Sequence, residues 1–277
     1  MKTYLWAVLI VAAPAVGAAF AEEGKVLYVT HEPGEYHDYT TQLKIFKEQI
    51  AGGQDWEVTV LSGSYDGLLE KMHDPDFAKG YDAIVYNYCF AESTDLDSCA
   101  NVIKQTREHG IPAMLIHCSM HSWWGTFKRG EKIKVGSEDH PTALARPVQV
   151  QEWKDAHGDD PFPIYGDFTG VASGEHGPKL PISLHKLREH PAIARLPEGH
   201  TTPTGELYDN IYLVDDVVPL VEGTQQDVKS IVMWTCPQGA SQVLGLTLGH
   251  SNEEFEGEVF QNLVTDSVNY LLKDPKP

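Results

Sequence analysis

The sequence predicts an α/β fold: a doubly wound, mainly parallel sheet with helices on both faces and a long, loop-rich insertion. Two observations carry this expectation. Short apolar runs alternate with segments of helical periodicity along the first 117 residues, and a long amphipathic segment closes the chain. Repeated strand–helix units of this kind build a parallel sheet covered on both sides.

The elements follow in order. Residues 26–30 form an apolar run bounded by charge and by Pro33-Gly34, and read as a buried strand. Residues 38–50 carry Leu43, Phe46 and Ile50 at helical spacing, with Gly52-Gly53 as the stop. Residues 56–61 alternate and read as a second strand, and 67–72 as a short helix. Residues 83–88 read as a third strand, 95–109 as a helix with Leu96, Cys99 and Ile103 on one face, and 113–117 as a fourth strand. From about residue 125 to 203 the chain is rich in Gly, Pro, His and acids and shows little periodicity, which predicts an insertion over the sheet edge. Residues 210–214, 230–235 and 242–248 read as three further strands. Residues 253–272 then read as one long helix, with Phe255, Val259, Leu263 and Leu271 inward. Residues 22–277 are expected to form a single domain.

The first segment sets the compartment. Lys2, an apolar run over residues 5–16 and Ala19-Phe20-Ala21 are the three parts of a secretory signal peptide. The apolar run is shorter than the roughly 20 residues a spanning helix needs, so cleavage after Ala21 and a secreted or periplasmic product with no membrane segment are expected. Removing 21 residues from 277 leaves 256. With 21 Lys and Arg against 40 Asp and Glu, the formal charge is −19, which excludes nucleic acid as a partner because phosphate binding needs clustered cations. Four cysteines, Cys89, Cys99, Cys118 and Cys236, are too few for a disulfide scaffold; one or two bridges are allowed, and their pairing stays open. Oligomeric state also stays open.

Ligands of open α/β sheets sit beyond the carboxyl ends of the strands. Reading each strand forward gives His31 and Tyr36-His37 after the first, Asn87-Tyr88-Cys89 after the third, and His117-Cys118-Ser119-Met120-His121-Ser122-Trp123-Trp124 after the fourth. The last strand leads to Leu248-Gly249-His250. His117 and His121 are four apart, so a helical turn would aim both imidazoles at one metal, with His37 or His250 completing the set. A divalent metal, zinc by preference, is the expected cofactor; no nucleotide cofactor is expected. Cys118, between a strand and a turn, is a candidate nucleophile needing His250 or His37 as base, though the glycines of a nucleophile elbow are missing; a buried inert thiol is the plainer reading. Tyr36, Trp123 and Trp124 offer aromatic faces on which a sugar ring would stack, with Asn87 as a polar neighbour. Glu206 and Tyr208 precede a strand and are candidates for proton transfer and substrate contact.

These residues together resemble a family. Val26-Leu27-Tyr28-Val29-Thr30, Tyr36-His37-Asp38-Tyr39, Ile116-His117, Glu206-Leu207-Tyr208 and Leu248-Gly249-His250 with a closing helix look like the ThuA-like (trehalose utilisation) family. The resemblance runs from about residue 25 to 272 and is weakest over 130–181. It implies a flavodoxin-like sheet of the class I glutamine-amidotransferase-like superfamily and a link to carbohydrate metabolism. It also implies that His37, His117, Glu206, Tyr208 and His250 surround the crevice. Cys118 stands where many relatives have Ser, and His250 is followed by Ser251-Asn252-Glu253 rather than a His-x-Glu pair, so glutamine amidotransferase activity is not expected. The expected function is hydrolysis or elimination on a saccharide or oxidised sugar derivative, with His117, Glu206 and His250 as catalytic candidates. The alternative is a non-catalytic sugar-binding protein with the same fold.

Overall fold

A computed structural model describes residues 24–123 and 147–273. The proposed signal segment and Trp124 lie outside the described residues. Among the described residues no helix is long and apolar enough to cross a membrane.

The sheet has eight strands. Its parallel part comprises β1 (Gly24–His31), β2 (Trp56–Gly63), β3 (Ala83–Tyr86), β4 (Ala113–Ile116) and β12 (Ser241–Leu246). Two more strands, β11 (Val228–Gln238) and β10 (Val218–Gln225), extend it antiparallel, and β7 (Ser183–Lys186) forms the far edge. The order is β2-β1-β3-β4-β12-β11-β10-β7. Continuous apolar runs suit strands buried on both faces. Val26 and Tyr28 of β1, with Met114 and Ile116 of β4, enter one core. Leu27 and Val29, with Ala113 and Leu115, enter the other.

Helices α1 (Tyr39–Ile45), α2 (Tyr65–Met72) and α3 (Leu96–Arg107) follow the first three parallel strands. Each starts where a side chain answers a free backbone N–H: Asp38 caps Thr41, Ser64 caps Gly67 and Asp95 caps Ser98. A π-helical turn, Phe46–Ile50, continues α1 to the predicted end.

Three expectations need correction. Within the 125–203 stretch, the described residues from 147 on are more structured than their composition suggests. It holds α4 (Pro147–His157), α5 (Tyr165–Thr169), β5 (Val171–Ala172), β6 (His176–Leu180) and β7, of which β7 joins the main sheet. Helix α4 buries only Trp153, and β6 is mostly exposed, so neither repeats an apolar residue often enough to show a period. Residues 210–214 do not join the main sheet: β9 (Tyr212–Leu213) pairs with β5, and β8 (Gly205–Tyr208) pairs with β6. The predicted C-terminal helix is two helices, α6 (Asn252–Glu256) and α7 (Glu258–Lys273), because Gly257 adopts an extended backbone at ψ 129°. Ser251 and Glu254 form the S-x-x-E capping arrangement that starts α6.

Candidate functional site

Three strand ends meet at one centre. His37 lies between β1 and α1, His117 opens the 3-10 turn His117–His121 after β4, and His250 follows β12. One ring nitrogen from each lies within 4.8 Å of the others. All three are largely shielded from solvent.

Backbone carbonyls orient two of the rings. His37 Nδ1–H donates to the His250 carbonyl at 3.1 Å, and His117 Nδ1–H donates to that of Thr247 at 2.7 Å. This fixes the tautomer and leaves Nε2 as the unprotonated nitrogen of each ring, that of His117 being met by the Tyr208 hydroxyl. Burial, reinforced by the neighbouring His117, lowers the His37 pKa to about 3. Burial also lowers that of His117 against the opposing pull of Glu206. Both imidazoles are therefore neutral at pH 7, the form that can ligate a metal. His117 has φ +47°, an uncommon conformation for a non-glycine residue, held here by its hydrogen bonds.

Glu206 on β8 faces this group. Its Oε2 is 3.2 Å from His250 Nδ1 and 3.5 Å from His117 Nε2. Burial alone would raise its pKa, but the close approach of His117 and His250 outweighs that and holds it well below the usual carboxylate range. Tyr208, two residues on, places its hydroxyl 3.1 Å from His117 Nε2. The five residues that the family resemblance implied around a crevice are thus gathered in one centre.

The supporting contacts are local. Asp38 accepts from Asn252, tying the His37 loop to the start of α6. The His250 amide donates to Glu254 Oε2 at 2.8 Å. Gly249, just before it, has φ +103°, and a Cβ there would meet the Phe260 ring at 2.9 Å. We expect Gly249→Ala to cost about 2–4 kcal/mol, strain plus overpacking. Urea unfolding checks this; a loss under about 0.5 kcal/mol would show that the turn can relax.

Other sequence candidates sit elsewhere. His121 is not the third member of the histidine group. In a 3-10 turn residues i and i+3 eclipse, so residue i+4 points about a third of a turn away. Its ring instead stacks on Tyr208 at 3.8 Å. Cys118 is joined to Cys89 and has no thiol to act as a nucleophile, while Cys99 and Cys236 are free and buried. Trp123 is fully buried in the second core and donates to Ser98 Oγ, so it offers no face to a sugar. Asn87 is also buried, and its amide is spent on Tyr28 and Gln42. Gln42 in turn reaches the Gly249 carbonyl at 3.5 Å, so Asn87 supports the His250 turn from behind. Tyr36 is exposed and, with Tyr65 and Cys89, lines a separate cleft of about 610 Å³.

Sequence reasoning missed three neighbours. His176 and Lys179 of β6 approach Glu206, each at 3.7 Å. Glu254 is buried, and burial raises its pKa to about 7 against the opposing backbone N–H donors of His250, Ser251 and Gly249. The S-x-x-E spacing at Ser251 was a signal that could have found Glu254; nothing local marks His176 or Lys179.

No family model matches the sequence, and no curated protein matches it. Solved structures do match in shape. A cytoplasmic protein of Salmonella typhimurium LT2 aligns with TM-score 0.53 and 10% identity, over 91% of this chain and 100% of its own. A glutamine amidotransferase from Thermotoga maritima aligns with TM-score 0.50 and 12% identity, over 92% and 100%. A β-galactosidase from Rahnella sp. R3 aligns with TM-score 0.50 and 11% identity over 92% of this chain, which spans 33% of that one. At such identities the likeness is one of fold alone: a flavodoxin-like, mainly parallel α/β sheet.

Proposed function

We propose that the chain is an exported, ThuA-like enzyme of carbohydrate metabolism, acting on a saccharide or oxidised sugar derivative by hydrolysis or elimination. The observation that carries this reading is the convergence of His37, His117 and His250 on one buried carboxylate, Glu206. The donor set suits a divalent metal, zinc by preference. Three imidazoles are a common zinc set, and the backbone carbonyls that accept from His37 and His117 are the kind of partner that metal-bound histidines use. Bound there, the metal would polarise a substrate oxygen.

The protein's own groups account for the proton chemistry. Glu206 stays ionised, and its charge beside His117 and His250 would stabilise a proton taken up by either ring from substrate or water. Amidotransfer finds no support, because Cys118 is bonded to Cys89.

Purified mature protein, assayed for bound metal and against a panel of glycosides and keto-sugars, tests the proposal. We expect Glu206→Gln to keep the metal and lose about 100-fold or more in turnover, within the range of impaired proton transfer. Binding of sugars with no turnover by the wild type would instead establish the non-catalytic alternative.

A further inference from the structure

Beside the histidine centre, the ribbon of β6 and β8 holds polar groups that the proposed chemistry does not use. In its register Lys179 stands opposite Glu206 and His176 opposite Tyr208. Lys179 Nζ is 3.7 Å from Glu206 Oε1, and His176 Nε2 is 3.7 Å from Oε2. Both gaps exceed hydrogen-bond length. The side chains are 61% and 43% exposed, whereas that of Glu206 is 7% exposed. Among the described residues, Lys179 and His176 therefore reach from solvent to the buried carboxylate.

A plain cross-strand ion pair is the simplest account of Lys179, and it explains little. His117 and His250 already hold Glu206 in its charged form. A solvated ammonium 3.7 Å away adds only about 0–1 kcal/mol. Such a cation is readily redirected to an incoming anion. A separate observation points to a ligand: His121 Nε2 is buried and has no hydrogen-bond partner among the described residues. Its ring is stacked on Tyr208 at an interplanar angle of 10°, so it cannot turn away without giving up that contact. A buried polar atom without a partner is costly unless something arrives to meet it. His176 has a complementary role. Its Nδ1–H donates to the Gly177 carbonyl at 2.8 Å, leaving Nε2 as an acceptor.

We propose that this ribbon selects a hydroxylated anion, a sugar carrying a carboxylate or a phosphate, with Lys179 pairing the anionic oxygen and His176 and His121 taking neighbouring hydroxyls. The proposal rests on the saccharide reading above and narrows it to a substrate class. One pair with this exposed ammonium gives up to about fivefold in affinity.

Calorimetric titration with glucose, glucuronate and glucose 6-phosphate tests it, on wild type, Lys179→Gln and Lys179→Arg. At least one anion is expected to bind about threefold to fivefold more tightly than glucose, and the stronger of the two identifies the anionic group. Lys179→Gln is expected to remove that preference without changing glucose affinity, and Lys179→Arg to keep it. Glucose binding as tightly as both anions, or Lys179→Gln weakening all three sugars alike, overturns the assignment to Lys179 and leaves the saccharide reading standing. Binding of none of the three overturns both.

Discussion

Replacing His37 with alanine is expected to abolish stoichiometric zinc binding while the fold survives. His37 sits in a loop between β1 and α1, and among the described residues its ring is tied by a hydrogen bond to the His250 carbonyl and by contacts with the rings of Tyr39, His117 and His250. Its ring contributes one of three nitrogens within 4.8 Å of each other. A tetrahedral zinc with bonds of ~2.0 Å needs its nitrogens about 3.3 Å apart, a contraction that side-chain rotation can supply. Losing an outer-shell partner typically costs 10–100-fold in metal affinity, and losing a ligand should exceed that. Elemental analysis and competition with a chromogenic chelator read the loss, and circular dichroism checks the fold. Wild-type affinity in His37→Ala would remove the metal from the proposal and leave a merely polar crevice.

Acid is expected to unfold the protein well before its carboxylates are protonated. The folded-state pKa values of His37 and His121 are lowered from 6.5 to about 3, in both cases chiefly by burial. Between pH 3 and 6.5 the unfolded chain therefore binds more protons, and stability falls as pH falls through that window. Two such groups sum to several kcal/mol at pH 4. Glu254 works the other way. Burial raises its pKa from 4.5 to about 7, so its contribution is full below 4.5 and is lost as pH rises through 7. Maximum stability should lie between about pH 6 and 7, where the histidines are already neutral and Glu254 is still partly protonated. Glu254→Gln should steepen the rise in stability between about pH 4.5 and 7, because it removes the one group that opposes the histidines there. Urea unfolding from pH 4 to 8 checks the wild type and the variant; a profile flat from 4 to 6.5 would mean that the two imidazoles are not held neutral.

Much of the fold was legible because its signals are local. A parallel strand buried on both faces must be apolar at every position, as residues 26–29 and 113–116 are. Helix starts were legible for the same reason: Asp38 and Asp95 answer backbone donors three residues away. β6 and β7 were not legible, since an exposed ribbon and an edge strand lack apolar alternation. The missing strand β10 shows the converse. Its Pro219 and Gly223 argue against a strand, and only pairing on both sides overrides them.

By itself the sequence determined that strand ends carry His37, His117 and His250, and that a glycine precedes the last. It fixed composition and local geometry, which depend on residues a few positions apart. Tertiary structure alone decided which groups meet. It brought β8 across to set Glu206 against His117, 89 positions away, and turned His121 aside because the segment after β4 is a 3-10 turn. It also joined Cys118 to Cys89 and sealed Trp123 in the core. The reason is physical: a ring's direction follows from local backbone angles, but its partners follow from strand order in the sheet, and that order is settled by burying both faces at once.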